Sequence, residues 1–257
     1  MKFNPNKSPA YVIVFAAIVS AAFAAAIMAL HAAGAGAVRR NERLMEEKAL
    51  VDLFGLADVR SLNDGEITRL VRTRIAGYAN AGDDPSDERR REILLTDPQT
   101  GAKIPLLVAF RHDLDPRAKV DLHDKANILA YALPISGVGF WARIDGWLAV
   151  TPDLSRTVGI VFLRHSETPG LGGRITESEF RDQFRRGVSV TPPPDGGKFI
   201  EISRASAGQQ NPRHVDAITG ATGTSTAVER FVNRDLAAFR RAAAAAGLDD
   251  GKDTHSP

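Results

Sequence analysis

The chain has no cysteine. That excludes a disulfide, a thiolate metal site and a cysteine-bound iron–sulfur cluster within it. Aromatic residues are sparse, at 7%, and an excess of one charge is also missing, since the formal net charge is +2. The basic runs Arg89-Arg90-Arg91 and Arg185-Arg186 are short and broken by acids. Solvated faces account for them, and no nucleic-acid partner is implied. His31, His112, His123, His165, His214 and His255 lack metal-motif spacing, so no metal ligand and no catalytic acid–base group is assigned. There is no Gly-Lys-Ser/Thr phosphate loop and no G-x-G-x-x-G spacing.

What is present begins with a long apolar run. Tyr11 to Leu30 carries no charge and is rich in Ala, Val, Ile and Phe. As a helix it would be about 30 Å long, the thickness of a bilayer core. A retained membrane anchor fits it. A cleaved signal peptide is the alternative, with Ala35-Gly36-Ala37 as the small-residue site. Lys2 and Lys7 precede the run, and Arg39, Arg40, Arg43 and Lys48 follow it. A plain count of these places the bulk of the chain in the cytoplasm, although large domains translocate regardless of such counts. Residues 38–60 read as a helical stalk leaving the membrane. The 44% hydrophobic content of 257 residues supports about one domain beyond these appendages.

The remainder predicts a mixed fold. Ile67, Leu70, Val71 and Ile75 mark a short helix, and 76–92 an exposed loop. Ile104 to Phe110 reads as a strand, with Pro105 at its start or on an edge. Ile128–Ile135, Gly139–Ile144, Trp147–Thr151 and Thr157–Leu163 read as an antiparallel meander, with Asp145-Gly146 as a hairpin turn. Residues 174–186 predict a helix with Phe180 and Phe184 in the core, and Phe199 to Ile202 a last strand.

The stretch from Asp216 to Ser225 is small, hydroxyl-rich and glycine-bearing, and a helical pattern follows it through Val228, Val232, Leu236 and Phe239. Thr226 with Glu229 has capping-box spacing, and Ser225 competes as the cap. Such a turn is an anion cradle, because free N–H groups and the helix dipole favour a phosphate. An ordinary capped helix has the same pattern.

Thr219-Gly220-Ala221-Thr222-Gly223-Thr224-Ser225 resembles the Ser/Thr-Gly-Ala-Thr-x-Thr-Ser signature of the covalent FMN-binding domain family. Leu133 to Trp141 and Glu167-Thr168-Pro169-Gly170-Leu171-Gly172-Gly173 resemble two blocks of the C subunits of the sodium-translocating NADH:quinone reductases. The G subunit of the Rnf electron-transport complexes shares this domain, so the alternative reading is an Rnf-type G subunit or a stand-alone extracytoplasmic flavoprotein.

The resemblance implies FMN joined through its phosphate to Thr222. Gly220, Ala221, Thr224, Ser225 and the upstream Asp216 complete that motif, and Glu167, Thr168, Leu171, Gly172 and Trp141 lie by the isoalloxazine. Trp141 reads equally as a core aromatic. The implied fold is α+β, a single transmembrane helix followed by a soluble FMN-binding domain with an antiparallel sheet and flanking helices. The implied division is 1–37 leader and anchor, 38–127 stalk and an unrecognised region, 128–247 FMN-binding domain, and 248–257 disordered tail. The implied role is an electron-transfer step from NADH toward ubiquinone, coupled to sodium transport. Implied partners are other membrane subunits, a flavin transferase and the lipid bilayer. The implied location is the bacterial inner membrane, single-pass, with the domain facing the periplasm. A flavin-free anchored scaffold is the reading from another class.

Overall fold

The computed structural model describes residues 9–78, 87, 89, 91–193, 196–204 and 211–249. It contains two compact units, Met1–Met45 and Glu46–Pro257. Helix α1 (Pro9–Leu53) begins in the first and ends in the second. Its side chains from Tyr11 to Leu30 are exposed throughout, and the helix is long and apolar enough to cross a membrane. The helix stops at Gly55, whose φ of 61° suits a residue without Cβ, and the Leu56 N–H donates back to the Val51 carbonyl at 3.0 Å. The stalk helix expected through residue 60 therefore ends earlier.

Helix α2 (Asp64–Arg74) opens with a reciprocal capping box. The Glu66 N–H donates to Asn63 Oδ1 at 3.0 Å, and the Asn63 N–H donates to Glu66 Oε2 at 2.8 Å. Six strands follow: β1 (Ile75–Ala76), β2 (Ile93–Thr96), β3 (Lys103–Phe110), β4 (Ile128–Val138), β5 (Arg143–Val150) and β6 (Thr157–Arg164). They form one antiparallel sheet of order β1-β3-β4-β5-β6, with β2 also paired to β3. The boundary drawn at 127/128 thus falls between two paired strands of one sheet. After it come a 3-10 turn (Gly172–Thr176), α3 (Ser178–Arg185), β7 (Glu201–Ser203), β8 (His214–Asp216) and α4 (Thr222–Ala245). β7 and β8 pair in parallel as a separate two-stranded sheet. The expected class, an apolar N-terminal helix and then an antiparallel sheet with flanking helices, agrees with this architecture.

Side chains alternate across the sheet. One face carries Tyr131, Leu133, Ile135, Ile144, Leu148, Ile160 and Phe162, which join Phe180, Phe184, Phe231, Leu236 and Phe239 of α3 and α4 in one core. Several of the intervening positions are small, among them Ala109, Ala130, Ala132, Ala149 and Gly159. There the backbone of α1 comes close, since a Cβ on Gly159 would stand 2.4 Å from the Leu53 carbonyl oxygen. Asp52 pairs with Arg181 and Arg185, tying the end of α1 to α3.

Four local readings change. Gly139–Ile144 is not a strand: residues 139–142 are the β4–β5 turn, closed by the Gly139 N–H donating to the Ala142 carbonyl at 2.8 Å. Asp145-Gly146 lies inside β5, opposite Ser136 and Ile135. Gly146 is needed there because a Cβ would sit 2.1 Å from the Val161 carbonyl oxygen. Arg89 is not a solvated cation; it is buried, with two bonds to Asp87 at 2.8 and 2.7 Å and one to the Leu114 carbonyl at 2.9 Å. The rest of the loop read at 76–92 lies largely outside the described residues. Leu248 is buried and Asp249 pairs with Arg240 at 2.8 Å, while 250–257 lie outside the described residues.

Candidate functional site

Three segments distant in sequence meet at the start of α4. They are the β4–β5 turn, the loop after β6 and the turn at 217–221. Helix α4 starts at Thr222, with Ala221 as a cap residue whose side chain makes no bond. The caps expected at Ser225 or Thr226 do not form, because both side chains of that pattern are used elsewhere. Ser225 is buried, and its hydroxyl accepts from the Ile218 N–H at 3.1 Å. Glu229 accepts from the Ile202 N–H at 2.8 Å and pairs with Lys198. Gly220, at φ 80°, makes the left-handed turn that admits the chain into the helix.

An open cleft of about 260 Å³ lies over this helix start. It is lined by Phe140, Trp141, Glu167, Thr168, Leu171 and Gly172 on one side and by residues 220–224 on the other. The sequence thereby places Trp141, Glu167, Thr168, Leu171, Gly172, Gly220, Ala221, Thr222 and Thr224 in one site. Two others fall elsewhere. Ser225 is turned into the core, and Asp216 lines a second cleft of about 230 Å³ with Arg174, Glu177, Gln183 and Thr219. The Asp216 N–H donates to Gln183 Oε1 at 2.6 Å, and its carboxylate lies 3.0 Å from His214 Nε2. In that cleft Glu177, with help from Glu179, pushes the Arg174 guanidinium further above its ordinary range.

Inside the first cleft the side chains divide by burial. Trp141 is 67% exposed and Phe140 62%, so neither is a core aromatic. Their rings meet edge to face at 5.0 Å between centroids. Trp141 Nε1 donates to the Thr168 hydroxyl at 3.0 Å. Leu171 is also exposed, and Thr222 faces solvent at the cleft rim. Beneath them Glu167 and Thr224 are buried, and the Thr224 hydroxyl donates to Glu167 Oε2 at 2.6 Å. His165 shapes the loop through Nδ1, which accepts from the Glu167 N–H at 3.3 Å.

Phe140 and Gly223 were not singled out from sequence. The signal for Phe140 was its place beside Trp141 in the same block. Gly223 occupies the unspecified position of the Thr-x-Thr motif, yet a Cβ there would stand 2.7 Å from the Phe140 ring.

The residues fit an FMN. Among the described residues Ser225 is the first in the helix whose N–H finds a carbonyl partner, that of Ala221 at 3.0 Å, so the amides of residues 222–224 are available to a phosphate at Thr222. No acidic side chain stands in the first turn to compete. Exposed flat and apolar walls flank the same point. The cleft is smaller than the roughly 300–1,000 Å³ of pockets that enclose a small molecule. A tricyclic ring held there keeps an edge in the open.

Residues 139–237, which span all three segments, match the FMN-binding domain family. The chain is 26% identical over 208 residues to the C subunit of the Na(+)-translocating NADH-quinone reductase of Pseudomonas aeruginosa, covering 75% of this chain and 78% of that protein. The corresponding protein of Yersinia pestis is 28% identical over 223 residues, covering 80% and 81%. The crystal structure of the same kind of protein from Parabacteroides distasonis superposes with a TM-score of 0.52 at 18% identity, over 79% of this chain and 94% of that one, and shares the fold. The resemblance carried by three short segments thus extends along most of the chain.

Proposed function

On the premise that the chain is a homologue of the C subunits of the sodium-translocating NADH:quinone reductases and carries an FMN-binding domain, we propose that it is a membrane-anchored electron carrier with FMN esterified to Thr222. The observation that carries this reading is the meeting, at one helix start, of an exposed threonine hydroxyl, free backbone amides and an exposed aromatic shelf. FMN supplies the ability to take up and pass on electrons. This chain's residues attach it, orient it and leave its edge reachable.

Attachment needs a separate flavin transferase with FAD as donor. The Thr222 Oγ bonds to the FMN phosphorus, the pyrophosphate bond breaks, AMP leaves, and the hydroxyl proton is released. The phosphate charge then rests at the positive end of a helix, a placement worth about 0.3–1 kcal/mol on an exposed site. Gly220 and Ala221 keep the approach to the hydroxyl uncrowded.

As one member of an NADH:quinone oxidoreductase, the chain completes no reaction alone. It relays electrons between a neighbouring iron centre and a neighbouring flavin, on the way from NADH to ubiquinone and coupled to sodium export. Helix α1 supports single-pass anchoring in the bacterial cell membrane, with residues 1–37 as leader and anchor. A periplasmic domain suits a covalent cofactor, which cannot be lost to an open compartment. A C-terminal reporter fusion active only outside the cytoplasm tests that orientation, and an inactive fusion overturns it.

The test of the whole reading is intact mass after co-production with a flavin transferase. The expected gain is one FMN less one water, absent in Thr222→Ala. No gain in the unaltered chain removes the carrier reading and leaves an anchored scaffold domain.

A further inference from the structure

Glu167 is a buried carboxylate at the floor of the cleft, 4% exposed. Among the described residues no cation forms an ion pair with it. Its charge is held by three hydrogen bonds instead. Oε1 accepts from the backbone N–H groups of Phe140 at 2.9 Å and Trp141 at 3.1 Å. Oε2 accepts from the Thr224 hydroxyl at 2.6 Å. These donors sit on two different elements, the β4–β5 turn and the first turn of α4. Bonds to an ionised acceptor are roughly twice as strong as neutral ones, and leaving such a group unpaired is costly.

The backbone closes tightly around this carboxylate. A Cβ on Gly139 would stand 2.5 Å from Oε1. One on Gly172 would stand 2.6 Å from Oε2 and 2.4 Å from Thr224 Oγ1. The carboxyl oxygens are therefore committed to the protein.

We propose that Glu167 is a positioning residue, a three-point bracket that fixes the Phe140–Trp141 shelf against the first turn of α4, with Thr224 as its third point. This rests on the reading that FMN is attached at Thr222. The bracket then sets the separation between the ring's shelf and the phosphate's anchor. Trp141 is held twice, by its N–H on Glu167 and by Nε1 on Thr168, while its ring stays in solvent.

The test uses Thr224→Val, which keeps the shape and deletes one point, and Thr224→Ser, which restores the hydroxyl. Glu167→Gln is the third variant. Its amide oxygen can accept both backbone N–H groups while its NH₂ donates to Thr224 Oγ1, so it removes the charge and keeps the connections. Two readouts are needed. In the flavin-free protein, hydrogen exchange at the Phe140 and Trp141 amides is expected to quicken about tenfold or more in Thr224→Val, with Thr224→Ser near the unaltered rate and Glu167→Gln between. In the fraction loaded with FMN, Thr224→Val loses the visible circular dichroism of the held flavin, and Thr224→Ser recovers it.

Unchanged exchange in flavin-free Thr224→Val overturns the bracket. So does an unchanged flavin signal in loaded Thr224→Val. If the unaltered chain gains no FMN mass but Thr224→Val still speeds the exchange of both amides, the bracket stands and the attachment reading fails.

Discussion

Two clefts flank the turn at 217–221, and they differ in what they leave unmatched. The cleft with Arg174, Glu177, Gln183 and Asp216 is polar and largely self-satisfied. Arg174 holds Glu177 and Glu179, and Gln183 bonds the Asp216 backbone in both directions. The cleft over Thr222 is the reverse. Its carboxylate Glu167 is buried and bracketed, while its apolar walls are exposed and the amides of residues 222–224 have no partner among the described residues. Charge alone would have pointed to the polar cleft with Arg174 and Asp216. A ligand site is better recognised by what the fold leaves unpaired than by how many polar groups line it.

The largest test of that contrast is a pair of threonines on the two sides of the turn. Thr222→Ala is expected to abolish the FMN mass gain, whereas Thr219→Ala, which alters the polar cleft, retains it. Intact mass reads both, and equal behaviour would erase the distinction. Next, Gly172→Ala forces a methyl against Glu167 and Thr224, and overpacking of this kind costs about 1–3 kcal/mol, measurable by urea unfolding. A wild-type midpoint would mean the floor is looser than the contacts require.

Smaller still is the pair Trp141→Ala and Asp216→Asn. Both side chains are exposed, so each should change unfolding free energy by no more than about 0.5 kcal/mol. They should differ in colour: in FMN-loaded protein Trp141→Ala alters the visible spectrum and Asp216→Asn leaves it unchanged. A pH-dependent effect lies away from both clefts, at the buried Asp97. The hydrogen bonds from Arg241 hold its carboxyl well below the ordinary range, against the opposing effect of burial. The folded carboxyl binds its proton less readily than the unfolded one. The pair therefore stabilises above a pH of about 3.9 and loses that contribution as the pH falls toward the folded value. The thermal midpoint difference between Asp97→Asn and the unaltered chain should accordingly be greater at pH 7 than at pH 3.

Much of the site was legible because its parts are local signals. The Thr219 to Ser225 run and the Glu167 to Gly173 loop each announce a glycine-shaped backbone beside named side chains. What sequence misplaced depended on contacts from elsewhere. Asp145-Gly146 has hairpin chemistry, but the closeness of β6 demands a glycine inside β5, and the turn moved to 139–142. Thr226 and Glu229 have cap spacing, but Lys198 and the Ile202 amide claim Glu229. Arg89 sits in a run that looks solvated, yet Asp87 two residues earlier supplies the partner that burial requires. β1 and β2 were hardest to place, since each is held by its pairing with β3 and not by its own pattern, whereas β3 itself was legible from Ile104 to Phe110.

The crowding around Glu167 has an evolutionary consequence. Gly139 and Gly172 lie far apart in the chain, and each is crowded by one oxygen of the same carboxylate, Oε1 beside Gly139 and Oε2 beside Gly172. Neither can acquire a side chain while the glutamate remains, and the glutamate cannot shorten without stranding the Phe140 and Trp141 amides. Residues 139, 167, 172 and 224 should therefore be inherited as one block. A descendant that lost the carboxylate would relieve one contact at each glycine, but Ile144 would still crowd position 139 and Thr224 position 172, so both glycines should outlast the glutamate.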